Sequence, residues 1–348
     1  MGLHFILRTS TPNTNLSALS DFQPLTSTDA ITNDPWKREL FQRLDNLRKK
    51  CGNLCAVNTL DDIDKYGDRI PNPNGNFMSL KVPIHCPNIL QLEEMDAGDA
   101  SLPYPPPDEL LPYYTMDGAI DFVLQKKYDN IYLGGDAKTS IWSKEYIDEQ
   151  IIKLKTYTQD ETYRGAGRCM LQKLEKWTNL KDKSVLVIGS ERPWLEVIIL
   201  SLGAAQVTTL EYGKIESHHP QVRALTPNEF RAKAIDGTLG EFDGIISHSS
   251  LEHAGLGRYG DALNPYGDLL NVARASCVTK SDGFLVLGLP TGRDAVQFNG
   301  ARVYGKIRWS LVTANFVQID GEDHTEAEFT ATYGRGCGGG QIFVFQKQ

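Results

Sequence analysis

Apolar and polar positions alternate most regularly in Ser184–Tyr212, which reads SVLVIGSERPWLEVIILSLGAAQVTTLEY. A short apolar run leads into a Gly189-Ser190 turn, and apolar residues at helical spacing then continue to Gly203. A second run rich in β-forming residues follows and ends on Glu211. Strand, glycine turn, helix and strand in this order predict a βαβ unit. Such a unit, with its right-handed crossover, is the core of a doubly wound sheet.

The same alternation of strand and helix patterns continues to the end of the chain. Strands are predicted near 184–189, 206–211, 222–225, 242–247, 284–289, 315–320 and 341–346, and helices near 192–203, 227–235, 263–276 and 301–313. No helical pattern separates the last two strands, which predicts an antiparallel pair at one edge. The predicted fold class is α/β: a Rossmann-like, seven-stranded, mostly parallel sheet with an antiparallel edge strand, preceded by an irregular and partly helical N-terminal extension.

Three regions are predicted: a flexible tail over residues 1–33, an extension over 34–142 and the α/β domain over 143–348. Asp34 and Pro35 are typical of a helix start, and that helix runs to about Lys50. Two more helices are predicted at about 143–157 and 158–178, with Ser143 and Asp160 as caps. From Val82 to Asp121 there are eight acids, seven prolines and no lysine or arginine, which excludes long helices. Its tyrosines and leucines favour an ordered cover over a free linker.

Composition narrows the classes of partner. The chain has 348 residues, 41% of them hydrophobic and 23% charged, so it can bury a sizeable core. The formal net charge is −8 and no basic stripe is present, so no nucleic acid partner is predicted. No apolar run approaches the ~20 residues of a membrane span. The oligomeric state stays open.

Six cysteines stand at 51, 55, 86, 169, 277 and 337. Only the first two are close in sequence, so a four-ligand zinc site is not predicted. Dispersed free thiols in a reducing compartment are the expectation. The opening residues lack the basic and apolar segments of a signal peptide, and the expected location is cytoplasmic.

The first candidate site is the turn after the first strand of the βαβ unit. Backbone N–H groups at such a turn and at the following helix N-terminus bind small ligands, so Gly189, Ser190 and Glu191 are candidate cofactor-binding residues. An acid at the end of the second strand commonly binds ribose hydroxyls. Glu211 stands there, and Tyr212 follows it.

A second dense stretch, FDGIISHSSLEHAGLGRYGDALNPYGD, spans residues 242–268. Ligands bind at the carboxyl ends of strands where the strand order reverses, which makes Ser247, His248 and Ser249 candidate cofactor contacts. His253 and His248 are candidate general bases, and Asp261 is a further catalytic candidate. The alternative for Asp261 and Asp268 is that they hold Arg258 and loop amides. A divalent ion on His248, His253 and Asp261 is also open, although the spacing does not establish convergence and no metal is predicted.

These motifs carry a family resemblance. The βαβ order, the FD at the start of the fourth strand and the antiparallel tail resemble class I S-adenosylmethionine-dependent methyltransferases. More closely, VIGSERPWLE, TLEY, SHSSLEHAGLGRYGDALNPYGD, LGLPTGRD and ARVYGKIRWSLV resemble the domain-of-unknown-function 268 family, over roughly residues 130–348. The resemblance implies that Gly189 and Ser190 back the methionine and ribose of S-adenosylmethionine, that Glu211 binds the ribose hydroxyls, and that Ser247–Ser249 face the methyl donor.

The sequence departs from the general methyltransferase pattern at three places. Val187 stands where an acid usually precedes the glycine turn, Ser190-Glu191-Arg192 replaces the repeated glycines, and no acid ends the third strand, Val222–Leu225. The leading hypothesis is S-adenosylmethionine-dependent methyl transfer to a small hydroxylated acceptor, a sugar or glycan precursor being one candidate. The alternative is a non-catalytic module of the same fold that binds another nucleotide or a protein partner.

Overall fold

The computed structural model describes residues 34–56, 68–70, 77–93, 103–126, 128, 139–156, 165–320, 326–330 and 341–348. The expected tail over residues 1–33 and the expected cap Asp160 lie outside these ranges.

The elements are given in chain order. The first part of the chain contains α1 (Pro35–Cys51), α2 (Asn53–Ala56), β1 (Asp68–Ile70), β2 (Ser79–Lys81), α3 (Cys86–Leu90), α4 (Leu111–Thr115), β3 (Asp121–Leu124), β4 (Ser140–Trp142), α5 (Lys144–Thr156) and α6 (Ala166–Trp177). The second part contains β5 (Ser184–Ile188), α7 (Trp194–Ser201), β6 (Gln206–Leu210), β7 (Ile215–Ser217), β8 (Val222–Leu225), α8 (Pro227–Ile235), β9 (Phe242–His248), α9 (Gly267–Val278), β10 (Thr279–Leu289), β11 (Ala295–Phe298), β12 (Arg302–Val303), α10 (Trp309–Val312), β13 (Phe316–Gln318) and β14 (Gln341–Lys347). Three-residue and four-residue 3₁₀ turns occur at Asp108–Leu110, Leu251–His253 and Glu326–Phe329.

The centre of the molecule is a mixed sheet with the strand order β13-β14-β10-β9-β5-β6-β8. Strands β5, β6, β8, β9 and β10 pair in parallel. Their side chains alternate between two cores, as strand geometry requires: Val185 and Val187 face one core, and Leu186 and Ile188 face the other. The chain leaves β5 toward β6 on one side and returns to β9 on the other side, so the strand order reverses between β5 and β9.

The antiparallel strand is not at the edge of this sheet, which corrects the expectation from the sequence. Strand β14 runs antiparallel to β10 on one side and to β13 on the other. The edge strand β13 therefore has the direction of the parallel strands. The expected antiparallel pair is present, but the sequence does not reveal that β14 inserts between β10 and β13. Strand order is set by tertiary pairing, which a pattern along the chain does not record.

The helix expected over 301–313 is largely absent. Arg302–Val303 is strand β12, which pairs antiparallel with β11, and only Trp309–Val312 is helical. The buried apolar residues of this segment, including Tyr304 and Trp309, belong to the core cluster of the domain although they do not form one helical face. The hairpin joins a small sheet, β12-β11-β3, in which β3 comes from the N-terminal extension.

The first helix of the extension begins as the sequence predicts. The Asp34 side chain accepts hydrogen bonds from the backbone N–H groups of Trp36 and Lys37, and Pro35 occupies the first helical turn. One face of α1 buries Leu40, Leu44 and Leu47. Those side chains belong to the same core cluster as Leu186 and Ile188 of β5, and α1 itself packs against α2 and α3.

The described parts of the acid-rich and proline-rich stretch cover the domain. Leu110 and Tyr114 are buried in the core cluster that contains the sheet. The Asn315 side chain donates to the carbonyl of Val82 and accepts from its N–H, at 3.0 and 2.8 Å. Ser79 Oγ donates to the Phe316 carbonyl at 2.9 Å. These contacts join the extension to the start of β13 at the far edge of the sheet.

Disulfide bonds replace the free thiols expected from the sequence. Cys51 is bonded to Cys55, and Cys86 of α3 is bonded to Cys277 of α9. Cys169 is also disulfide-bonded, and no free cysteine occurs among the described residues. The second bond joins residues 191 positions apart. Sequence spacing could not predict it, since the two helices meet only in the folded chain. It ties the extension covalently to the α/β domain.

No helix in the described ranges is both long enough and apolar enough to span a membrane.

Candidate functional site

The turn after β5 is built around Gly189, which has a φ of 78°. A Cβ at this position would lie 2.0 Å from Ser250 Oγ, so both the backbone angle and the space require glycine. Gly189 N–H donates to the Leu210 carbonyl at 3.0 Å, which ties the turn to the end of β6. The absence of a side chain at Gly189 therefore leaves the space that the Ser250 side chain occupies.

Glu211 lies directly after β6 and holds the glycine turn. Its carboxylate accepts from the N–H of Ser190 at 2.8 Å and from the N–H of Tyr212 at 2.7 Å. Burial raises the pKa of Glu211, while these amide donors act against the rise. A carboxylate has about four lone-pair positions, so Glu211 retains capacity for further donors. The strand-end acid and the turn, predicted as one site, are in direct contact.

Glu191 and Tyr212 flank this contact. Glu191 is exposed at the turn, and its charge adds to the raised pKa of Glu211, after burial. Tyr212 is partly exposed and donates its own N–H to Glu211.

The end of β9 lies beside the turn, as the topology predicts. Ser247 Oγ donates to the Ile188 carbonyl at 2.9 Å, which joins β9 to β5. The His248 ring meets the Trp194 indole edge-to-face, with 5.4 Å between centroids. A Cβ on Gly288 would lie 2.2 Å from His248 Cδ2, so the imidazole lies against β10. Ser249 has a φ of 51°, a conformation that is uncommon for serine and common at functional sites.

Glu252, which is buried, and His253, which is partly buried, lie next to each other after β9. His253 Nδ1 lies 2.6 Å from the Gly300 carbonyl, so Nδ1 carries the proton that it donates, and Nε2 is the basic nitrogen. Nε2 lies 3.6 Å from Glu252 Oε1. Burial lowers the pKa of His253 to about 4 and raises that of Glu252 to about 7. Both groups therefore favour their neutral forms, and Glu252 ionises near neutral pH.

The glycines of the following loop have the backbone conformations expected of them. Gly255, Gly257 and Gly260 have φ angles of 80°, 70° and 75°, which side-chain-bearing residues rarely adopt. A Cβ on Gly255 would also lie 1.9 Å from the Asn264 carbonyl oxygen. The loop thus folds back on itself tightly enough to bury His253 and Asp261 together.

Asp261 lies inside this loop and binds its amides. Its carboxylate accepts from the N–H groups of Gly255, Gly257 and Tyr259. Burial raises its pKa. This geometry favours the alternative stated from the sequence, in which Asp261 holds loop amides.

Asp268 pairs with Arg308 and Arg302, although the sequence suggested Arg258 or loop amides for it. Arg308 donates to both carboxylate oxygens at 2.6 and 2.8 Å, and Arg302 Nε lies 3.7 Å away. Burial alone would raise the pKa of Asp268, but the two arginines lower it. Arg258 donates to Gln125 and to the Asn299 carbonyl, both at 3.2 Å. Arginines from the hairpin region thus fix the start of α9.

The sequence did not single out Glu196, a completely buried acid in α7. Thr209 Oγ1 donates to Glu196 Oε1 at 2.7 Å, and Glu196 Oε2 lies 3.0 Å from Ser190 Oγ. Burial raises the pKa of Glu196 to about 7. Its position two residues after Trp194 in an apolar helix was the available signal, since a lone acid among buried residues needs polar partners.

Among the described residues, no group of three or more histidines, cysteines or acids is placed to hold a metal ion. Asp261 is committed to loop amides. The open alternative of a divalent ion on His248, His253 and Asp261 therefore has no support in the described part of the chain.

Comparison with known proteins identifies a family over part of the chain. Residues 182–332 match the family described as Caenorhabditis protein of unknown function, DUF268. The resemblance stated from the sequence is confirmed over these residues, which contain the glycine turn, Glu211 and the loop with His253. A search of curated proteins gives no match.

The solved structures that match this fold share little sequence identity with the chain. A methyltransferase from Burkholderia thailandensis, solved with 1,6-didemethyltoxoflavin and S-adenosylhomocysteine, has 15% identity and a TM-score of 0.34, covering 59% of this chain and 86% of that one. A 16S rRNA methyltransferase from T. Thermophilus has 13% identity and a TM-score of 0.30, covering 56% and 45%. A candidate hemolysin from Lactococcus lactis has 18% identity and a TM-score of 0.28, covering 36% and 56%. The present chain thus spans about half the length of some of these proteins.

Proposed function

We propose that the chain binds S-adenosylmethionine where β5, β6 and β9 end and transfers its methyl group to a small hydroxylated acceptor. The observation that carries the proposal is the contact of Glu211 with the glycine turn at the point of strand reversal. Open α/β sheets bind ligands at that point, and a strand-end acid binds ribose. Glu211 accepts from the N–H groups of Ser190 and Tyr212 and also from that of Gly213, and its carboxylate has lone-pair capacity left for a ribose hydroxyl.

The residues at the ends of β5, β6 and β9 can accommodate S-adenosylmethionine, but Ser250 limits where it can lie. Ser250 Oγ occupies the space above Gly189, so the ligand would meet the Ser190 side of the turn. The Trp194 ring beside His248 offers an aromatic surface at the same edge of the sheet. Aromatic faces attract cations, including sulfonium-like ones, through the ring quadrupole.

Methyl transfer needs positioning and removal of one proton. When bound, S-adenosylmethionine supplies the methyl group: the sulfur–carbon bond breaks as the bond from the acceptor oxygen to that carbon forms. The hydroxyl proton passes to His253 Nε2, because Nδ1 is already protonated and bound to the Gly300 carbonyl. Glu252 at 3.6 Å stabilises the resulting imidazolium when it is ionised. Asp261 positions the loop through its amide contacts.

The second candidate function is a non-catalytic module of the same fold. It is favoured by Ser190-Glu191-Arg192 in place of repeated glycines and by the packing of Ser250 on Gly189. A thermal-shift screen of S-adenosylmethionine, S-adenosylhomocysteine, NAD and nucleotide sugars separates the two. A ligand at a hundredfold excess over its Kd stabilises by about 2.7 kcal/mol. We expect this stabilisation with the two sulfur-containing ligands. A shift with NAD or a nucleotide sugar alone would support the second function.

We infer an oxidising compartment for the mature chain. The expectation of a cytoplasmic location rested partly on free cysteines, and Cys51–Cys55 and Cys86–Cys277 are instead bonded. Disulfides persist in secreted and lumenal proteins and are rare where thiols are kept reduced. Mass spectrometry of the natively isolated protein after thiol alkylation without reductant tests this inference, because alkylation of Cys86 and Cys277 would contradict it.

A further inference from the structure

We propose a subsite for a neutral, polyhydroxylated acceptor such as a sugar, formed beside His253 by the β11–β12 hairpin and by the N-terminal extension. The assignment rests on the proposed function in one respect: it takes His253 as the group that receives the acceptor's proton.

Gly300, within the β11–β12 hairpin, contacts His253 and the N-terminal extension. Its carbonyl accepts from His253 Nδ1 at 2.6 Å. A Cβ at Gly300 would lie 2.8 Å from Gln297 Oε1 and 2.9 Å from Gln125 Oε1. Two amide oxygens, one from the domain and one from the extension, therefore lie against the residue that holds His253. Gln125 is there because β3 pairs in parallel with β11.

Two buried polar atoms in this region have no hydrogen-bond partner among the described residues. One is Gln297 Oε1, and the other is Tyr104 Oη. The Tyr104 ring stacks on Phe298, the neighbour of Gln297, at 6.2 Å between centroids. Unpaired buried acceptors are costly and rare in folded proteins, and a bound ligand or water commonly explains them. Gln297 Oε1 can only accept a hydrogen bond, whereas Tyr104 Oη can donate or accept, so the missing partner carries at least one donor.

The charge around the subsite selects the type of donor. Arg258 Nη1 lies 3.2 Å from Gln125 Oε1. Arg258 and Arg302 both add, after burial, to the lowered pKa of His253, so the local potential is positive and disfavours an ammonium group. The amide oxygens in turn disfavour a carboxylate or phosphate at the same position. A neutral hydroxyl group, from a ligand or from water, is the donor that remains.

More than one hydroxyl is required. Gln297 Oε1, Tyr104 Oη and His253 Nε2 can each accept a hydrogen bond from a separate group. The Tyr259 ring lies edge-to-face to His253, 5.3 Å between centroids, and provides an apolar surface beside them. Several hydroxyls with an apolar ring face are the chemistry of a sugar.

The test uses the full chain and the methyl glycosides of glucose, galactose, mannose and N-acetylglucosamine. Saturation-transfer NMR identifies the glycosides that bind, and calorimetry measures their affinity with S-adenosylhomocysteine present. We expect binding of at least one glycoside. Gln297→Leu and Tyr104→Phe should each weaken it about tenfold, the effect of losing one hydrogen bond of typical strength.

The melting temperature distinguishes a ligand-facing role from a structural one. Gln297 Oε1 and Tyr104 Oη have no partner to lose, so both variants should keep or raise the thermal stability while losing affinity. Gln318→Leu is a control at a distant position, since Gln318 Oε1 is also buried and unpartnered but lies in β13. Because it also removes the hydrogen bond from Gln318 Nε2 to Asp320, it controls for affinity and not for thermal stability. This variant should bind the glycoside like the wild type.

The outcomes separate the subsite from the proposed function. Absence of binding by all four glycosides overturns the subsite, as does unchanged affinity in both Gln297→Leu and Tyr104→Phe. If S-adenosylhomocysteine does not bind but a glycoside does, with the expected effect of the variants, the subsite stands and the methyltransferase proposal fails. Binding of S-adenosylhomocysteine alone leaves the proposed function standing and removes the sugar subsite.

Discussion

The hydrogen-bond partners of buried Glu196 indicate its protonation state. Ser190 has one hydroxyl proton, yet its oxygen lies 2.7 Å from the Arg192 carbonyl and 3.0 Å from Glu196 Oε2. One hydroxyl proton cannot serve both acceptors fully, so this geometry favours a protonated Glu196 that donates to Ser190. Glu196 is therefore a neutral acid beneath the glycine turn, in agreement with the burial that raises its pKa to about 7.

Replacing Glu196 with glutamine should remove the loss of folding stability that ionisation of Glu196 causes as the pH rises. The folded-state pKa lies above the unfolded value, so wild-type stability is full below about pH 4.5 and falls as pH rises toward 7. The fall is on the order of 3 kcal/mol. Glutamine keeps a donor for Ser190 and an acceptor for Thr209. Urea unfolding at pH 5 and pH 8 should show Glu196→Gln gaining on the wild type at the higher pH.

Glu216→Gln is the control for this comparison, because Glu216 is exposed and pairs with His218 at the surface. It should change stability little at either pH. A stability difference between Glu196→Gln and the wild type that is the same at pH 5 and pH 8 would mean that Glu196 is ionised throughout.

The pH dependence of turnover should reflect His253 and Glu252 acting together. Glu252 stabilises the protonated imidazole only when ionised, so turnover should rise with pH through the Glu252 pKa of about 7. Glu252→Gln should remove this rise, and His253→Ala should lower turnover by ~10²–10⁴-fold. Formation of S-adenosylhomocysteine, with a glycoside that binds as acceptor, measures both. Cofactor affinity should stay within a few-fold, since a general base acts in the transition state. An unchanged profile in Glu252→Gln would remove Glu252 from the mechanism.

At the scale of elements, the loop after β9 is fixed from outside as well as from within. Asp261 binds its amides, and Arg302 donates to the carbonyls of Glu252 and Ala254. Tyr114 of α4 donates to the Gly255 carbonyl at 2.7 Å. An element of the N-terminal extension thus supports the loop that carries His253.

Tyr114→Phe should loosen this loop without disturbing the sheet. It removes one of two donors to the buried Gly255 carbonyl, since the Asn264 N–H remains at 2.9 Å, and the loss of one hydrogen bond costs about 0.5–1.5 kcal/mol. Hydrogen exchange should accelerate at amides of residues 250–260 and remain slow in β5 and β9. Tyr146→Phe, at an exposed tyrosine of α5, is the control and should leave exchange unchanged. Equal acceleration in the loop and in the central strands would indicate global destabilisation instead.

The sequence predicts those elements whose pattern is local. Strand β8 and helix α8 match their predicted ranges, and the start of α1 follows from Asp34 and Pro35. The hairpin of β11 and β12 was missed because its strands are two to four residues long and pair with β3, far away in sequence. Likewise, Glu211 and Gly189 could be placed in one site, but Gln125 and Gln297 could not, since only tertiary pairing brings them to Gly300.

For the whole molecule, the extension and the α/β domain form one covalently linked unit. The Cys86–Cys277 bond closes a loop of 191 positions, whereas Cys51–Cys55 closes one of 4. Constraining the unfolded chain stabilises more for the longer loop, by ~5 kcal/mol against ~2 kcal/mol in the chain-entropy account. The disulfide bond thereby fixes the N-terminal extension, which in turn contacts the loop that carries His253.

Replacing both cysteines of the long-range bond should lower the melting temperature more than replacing the local pair. We expect Cys86→Ser with Cys277→Ser to melt several degrees below Cys51→Ser with Cys55→Ser. Limited proteolysis should then cut the extension in the first double variant while the sheet region stays intact. Equal melting temperatures for the two double variants would show that the long-range bond contributes no more than the local one.

The central claim is that the crevice where β5, β6 and β9 end binds S-adenosylmethionine through Glu211. Calorimetric titration of S-adenosylhomocysteine into the wild type, Glu211→Ala and Glu216→Ala tests it most directly. We expect the wild type and Glu216→Ala to bind alike. Glu211→Ala should bind at least tenfold more weakly, because it loses charge-assisted hydrogen bonds to the ribose. Wild-type affinity in Glu211→Ala, or no binding to the wild type, would contradict the account.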